Sequence, residues 1–208
     1  MKMKVLAPFI LLGTLLLSSC ANNEDKTAEI KPMPDSDYVK TFEELNLGNL
    51  FDFEFELENA DKRWVRLWVE RYQDGEKDRE PITELMYGQS PIPDETSKGH
   101  VGFGIIQSNE GEPSYFLYAP GLSSSPNKSV EKKKSETSMT TWDYAFPDEK
   151  VDLLLNEEKV LAAYRGTSSN QMRTYDLGSK DDVEKMIQED TEVLLLKILI
   201  EESDEEHE

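Results

Sequence analysis

Phe51, Phe53, Phe55 and Leu57 take every second position of one segment, with Asp52, Glu54 and Glu56 between them. Successive side chains of a strand point to opposite faces, so this alternation predicts a strand with one face in a core and the other in water. A second segment sets the complementary condition. Val193 to Ile200 is apolar at every position except Lys197, which predicts a central strand buried on both faces. A chain holding both kinds of strand must stack at least two layers on the sheet that contains the second.

The intervening sequence supplies more strands. Val65, Leu67 and Val69 alternate with Trp64, Arg66, Trp68, Glu70 and Tyr72, and Asp74-Gly75 follows as a turn pair. The same spacing fits a helix through Trp64, Val65, Trp68, Val69 and Tyr72, but the β-branched and aromatic content favours a strand. Further strands are expected at His100 to Gln107, Ser114 to Tyr118, Met139 to Phe146, Val151 to Leu155 and Val160 to Tyr164, with another at Met172 to Leu177. Asn156 to Lys159 reads as a hairpin-like link between the two strands that flank it. A short early helix capped by Asp35, Ser36 or Asp37 would carry Phe42 and Leu45 and end near Gly48. A later one capped by Ser179 would place Val183, Met186 and Ile187 on one face. Glu76 to Thr96 and Pro120 to Thr137 read as loops, the second carrying Lys128, Lys132, Lys133 and Lys134. The expected fold is mainly β: an antiparallel β-sandwich or barrel-like domain with one or two short helices.

The N-terminus has a secretory layout. Lys2 and Lys4 precede an apolar stretch from Val5 to Leu17, and Leu17-Ser18-Ser19-Cys20 follows, containing the only cysteine of the chain. This segment resembles the lipobox of bacterial membrane lipoproteins, in which an aliphatic and two small residues precede an obligatory cysteine. The resemblance implies cleavage between Ser19 and Cys20, a diacylglyceryl thioether on Cys20, and a location on the extracytoplasmic face of a cell membrane. Val5 to Leu17 is too short to span a bilayer, which takes about 20 helical residues. Beyond these first twenty residues no stretch resembles a family by motif. The expected organisation is a signal peptide over 1–19, a lipidated N-terminus and flexible linker over 20–37, one mainly β domain over 38–200 and an acidic tail over 201–208.

Charge narrows the partners. The chain has 23 basic against 43 acidic residues, and the signal segment holds two of the basic and none of the acidic ones, so the mature protein is more acidic still. A surface of that sign repels phosphate backbones, and nucleic acid is not an expected partner. With Cys20 lipidated, no disulfide and no sulfur ligand remain, and neither His100 nor His207 stands in a zinc-ligand spacing, so no metal and no cofactor are expected. There is no Gly-x-Ser-x-Gly elbow. His100 reads as an ordinary strand-end residue, and Gly99, Gly102 and Gly104 as glycines permitting twist or close backbone approach. The acidic tail could hold a divalent cation only with six to eight oxygens fixed around it, which the sequence does not provide.

One surface invites a binding role. Trp64, Trp68 and Tyr72 lie four residues apart on one face of their strand; exposed, they would form a flat aromatic platform, and covered, they would be core. The functional expectation is a non-catalytic, lipid-anchored extracytoplasmic binding domain that contacts a cell-envelope component or a membrane protein, the membrane itself being held through Cys20. Two alternatives stand beside it: a carboxylate-dependent hydrolase of cell-wall polymers, and an accessory or sensor domain regulating a neighbouring membrane protein.

Overall fold

A computed structural model describes residues 27–107, 112–128 and 137–203. In chain order the elements are β1 (Ala28–Pro32), α1 (Asp37–Glu44), β2 (Gly48–Leu57), β3 (Arg63–Gln73), β4 (Glu76–Lys77), β5 (Thr83–Gly88), β6 (Ser97–Ile106) and β7 (Ser114–Ala119). Then come β8 (Leu122–Ser123), β9 (Asn127–Lys128), β10 (Met139–Tyr144), β11 (Val151–Leu153), β12 (Lys159–Thr167), α2 (Lys180–Glu189) and β13 (Glu192–Glu202).

The strands form two antiparallel sheets. The first runs β11-β1-β2-β6-β7-β8, with β9 also on β7; the second runs β10-β12-β13-β3-β4, with β5 also on β3. The two sheets pack as an open sandwich, as the alternation predicts. Phe51, Phe53, Phe55 and Leu57 of β2 are 0–1 % exposed and meet Val65, Leu67 and Val69 of β3 and Leu194, Leu196, Ile198 and Ile200 of β13 in one core. Each such side chain is worth about 1.5–3 kcal/mol when fully buried. Val193 and Leu195, on the opposite face of β13, are equally buried, but under α2, where Met186 and Ile187 close a second cluster with Ala163 and Leu177. Burial on both faces thus explains the continuous apolar run of β13.

Both helices start as their capping residues dictate. The Ser36 hydroxyl accepts from the Val39 amide, and the Ser179 hydroxyl from the Asp182 amide. In α1 the buried residue is Val39, while Leu45 is 62 % exposed just past the helix end. Gly48 opens β2 with φ +137°, where a Cβ would lie 2.1 Å from the Ile105 carbonyl oxygen, so only glycine fits that junction. Asp74 and Gly75, both at positive φ, close the β3–β4 hairpin as a turn.

Several expectations need correction. The linker read over 20–37 extends too far: β1 pairs with both β2 and β11, and Ala28 and Ile30 are fully buried. A short strand flanked by Pro32 and Pro34 looks like a tether until its distant partners are known. Met172 to Leu177 is not a strand. Tyr175 lies against Arg165, its ring centroid 5.0 Å from the guanidinium carbon, and Leu177 tucks under α2, so its alternating pattern serves two side-chain contacts rather than a sheet. Asn156 to Lys159 is no hairpin, because β11 belongs to the first sheet and β12 to the second; the link crosses between layers. The supposed loop from Glu76 to Thr96 contains β4 and β5, and the one from Pro120 to Thr137 contains β8 and β9. Lys132, Lys133 and Lys134 lie outside the described residues. The acidic tail begins later than expected, since Glu201 and Glu202 extend β13 and buried Ser203 donates its amide to the Lys62 carbonyl.

Candidate functional site

Asp52 alternates with core phenylalanines and therefore points to the outer face of the first sheet, yet it is 0 % exposed. Helix α1 and the neighbouring strands cover it. A buried carboxylate must be paired and hydrogen-bonded to be tolerated, and two strands supply the partners. From β6, His100 places Nδ1 3.0 Å from both carboxylate oxygens; from β7, the Tyr118 hydroxyl donates to Oδ1 at 2.8 Å. Burial, the Asp52 charge and this hydrogen bond push the Tyr118 phenol far above its ordinary range, so it remains a donor. A carboxylate only accepts, which makes Nδ1 the protonated nitrogen of His100. Nε2, on the other side of a side chain still 37 % exposed, makes no hydrogen bond with the described residues. The triad thus fixes an imidazole with one nitrogen spent and one available.

Glycines make the arrangement feasible. Tyr118 reaches over β6 to contact β2, and a Cβ at Gly102 would lie 2.3 Å from its hydroxyl oxygen and 2.2 Å from the Phe51 carbonyl oxygen. At Gly104 a Cβ would lie 2.0 Å from the Phe116 ring. Bare positions on β6 therefore let two β7 rings lie across it, a close approach of the kind that glycine in a strand permits.

Those rings floor an open pocket of 560 Å³ between the sheet and α1. Phe116 and Tyr118 sit with centroids 6.2 Å apart and planes inclined at 32°. Tyr38 of α1 stands edge-on to His100, at 5.0 Å and 74°, and to Tyr118, at 6.2 Å and 83°, while Phe42 flanks Phe116 at 6.0 Å. The volume and the mix of apolar walls with a few convergent polar groups are those of small-ligand sites, about 300–1,000 Å³. At its rim Lys98 is tied to Glu56 at 2.8 Å. Asp52 and His100 are only two potential metal donors, and no group of three among the described residues could hold an ion.

Of the two outcomes open for the aromatic face of β3, platform or core, Trp68 takes the second. Trp68 is 2 % exposed, and Trp64 and Tyr72 are half-buried. The Arg66 guanidinium carbon lies 4.6 Å from the Trp68 ring centroid and the Lys197 ammonium 6.0 Å from it, so long charged side chains, not a layer of secondary structure, seal the ring. Beneath them Glu70, 6 % exposed, accepts from Trp68 Nε1, Tyr72 Oη and Lys77 Nζ and lies 3.1 Å from Lys197 Nζ. Burial alone would raise its carboxyl; the three hydrogen bonds and the Lys197 charge overcome that and hold it at about 2. Cys20 and Ser19 lie outside the described residues. Asp52, Tyr118, Tyr38, Phe42 and Phe116 were not read as site residues from the sequence, and His100 lies within β6 as one arm of the triad rather than at an ordinary strand end.

The YgaN domain family model matches residues 37–200. The chain belongs to that family. The match spans α1 and the sandwich up to Ile200 of β13, and so includes every residue of the triad and its pocket, while β1, which completes the first sheet, precedes it. No curated protein and no solved structure matches the chain. Among the described residues no helix is long and apolar enough to cross a membrane.

Proposed function

We propose that this YgaN domain is a lipid-anchored extracytoplasmic binding domain whose ligand, a component of the cell envelope or a segment of a neighbouring membrane protein, seats in the pocket beneath α1. The observation that carries the reading is the open aromatic pocket with His100 held on Asp52 and its Nε2 directed away from that carboxylate. Binding sites prepare such groups in advance, because a side chain already fixed loses little freedom when the ligand arrives.

The anchor belongs to the proposal too. A thioether requires a thiol, and Cys20 is the only one. Seven positions separate it from Thr27, a reach of at most about 25 Å fully extended, which would hold the pocket near the membrane surface. Two measurements test the reading. A metabolic fatty-acid label should mark the wild type and be lost in Cys20→Ser; label persisting in the variant would remove the anchor. Envelope fractions retained on the immobilised domain should be lost with Tyr38→Ala, Phe42→Ala and Phe116→Ala together, and retention unchanged by that triple variant would remove the pocket.

A further inference from the structure

We infer that the pocket beneath α1 recognises a saccharide unit, a sugar ring stacked on the floor made by Phe116 and Tyr118, with hydroxyl groups bonded to His100 Nε2 and Tyr38 Oη. This rests on the reading of the pocket as a binding site and names the class of its ligand.

The floor is the first argument. Tyr118 spans from β7 across β6 to place its hydroxyl on Asp52 of β2, so its ring lies over the sheet where Gly102 leaves space, and Phe116 lies beside it over Gly104. At 32° between their planes the two rings make a shallow continuous surface, with the α1 rings standing up along one side. Flat aromatic surfaces of this kind suit a ligand with one apolar face and a polar perimeter, and the C–H face and hydroxyl rim of a pyranose meet both conditions.

The polar groups are the second argument. The polar groups offered to the pocket are His100 Nε2 and the phenol of Tyr38, which is 54 % exposed. Hydroxyls donate and accept, so they pair with either. The chargeable side chains of the pocket are already paired within the chain. The Asp52 carboxylate is wholly buried and engaged by His100 and Tyr118, so it does not meet a cation directly; Lys98 is engaged by Glu56, and a chain of formal charge −20 repels anions. An alkyl chain would fill the aromatic walls but leave Nε2 and Tyr38 Oη desolvated without partners, a cost that disfavours it. An exposed aromatic floor flanked by an imidazole nitrogen and a phenol converges on a polyhydroxylated ring.

The test uses purified full-length mature chain with Cys20→Ser, insoluble peptidoglycan in a sedimentation assay, and chitotetraose in an NMR titration. Chitotetraose should shift the amide resonances of 98–104 and 116–121, and the chain should co-sediment with peptidoglycan. His100→Asn keeps a donor toward Asp52 and deletes Nε2, and Tyr38→Ala removes a half-exposed ring. Each should weaken glycan binding about tenfold, the equivalent of one lost hydrogen bond or stacking contact, with the melting temperature of Tyr38→Ala unchanged. Glycan binding that survives both substitutions overturns the inference. Absence of glycan binding also overturns it, and the envelope-retention experiment then separates the cases: retention of other envelope material that still depends on Phe116 and Tyr38 leaves the binding reading standing, whereas retention indifferent to them removes that reading as well.

Discussion

The outer faces of the two sheets are built from the same materials and end differently. Each carries a nearly or fully buried carboxylate beside aromatic rings: Asp52 with His100 and Tyr118 on the first sheet, Glu70 with Trp68 and Tyr72 on the second. Around Glu70 two lysines neutralise the charge, two rings donate to it and Arg66 covers the tryptophan, so the carboxylate and the Trp68 ring are shielded from solvent. Around Asp52 the donors are a phenol and an imidazole whose second nitrogen bonds to none of the described residues, and the rings stand open to a pocket. A buried acid closed on all sides by its own chain stabilises and specifies packing. One that fixes a partially exposed imidazole prepares a surface for something else.

The largest effect should come from the closed side. Leu195, 1 % exposed beneath α2, becomes an unpaired buried charge in Leu195→Asp, at a cost of several kcal/mol against a typical total stability of about 5–15 kcal/mol. Circular dichroism of this variant should show an unfolded or molten chain, and a wild-type melt would mean that the α2 layer is not core. Next comes acid sensitivity. Because the Glu70 carboxyl is held at about 2 against an ordinary 4.5, its contribution is present above about pH 4.5 and is lost as pH falls toward 2. The cluster is worth about 3–4 kcal/mol on that basis. Glu70→Gln should be less stable than wild type by about that amount at pH 7 in urea melts, with the gap closing by pH 2–3. A gap independent of pH would show that Glu70 is not ionically locked. On the open side the effects should be smaller and local. Gly102→Ala meets the Phe51 backbone as well as Tyr118 and should cost about 1–3 kcal/mol. Gly104→Ala meets the Phe116 side chain first, a ring that can lift away, and should cost about 1 kcal/mol while abolishing pocket binding. Equal costs at the two glycines would show that the floor is not shaped as described.

The inner faces were legible because a period of two is a statement about one strand. The alternation from Phe51 to Leu57 and the run from Val193 to Ile200 each required a layer, and the layers are there. The outer faces were less legible, because periodicity says which way a side chain points and not what lies above it. Asp52 reads as water-facing by parity, and its burial depends on α1 and on His100, 48 positions away. Trp68 reads as either core or platform; the charged stems of Arg66 and Lys197 decide it, and Lys197 comes from a strand more than a hundred residues further on. For β1 the missing information was likewise its partners, Leu57 and Leu153, without which Ala28 to Pro32 is merely polar and Pro-flanked. A faint signal for the pocket did exist: Gly102 and Gly104 alternate on β6 while Phe116 and Tyr118 alternate on β7, a small-against-large pattern of strands whose rings lie across their neighbour.

The contrast between a sealed face and an open one is tested most directly by two aromatic truncations in parallel urea melts. Trp68→Ala should lose about 3–5 kcal/mol through transfer and cavity terms, and Tyr38→Ala should lose no more than about 0.5 kcal/mol, as surface substitutions do. Similar losses for the two, or a larger loss for Tyr38→Ala, would contradict the account.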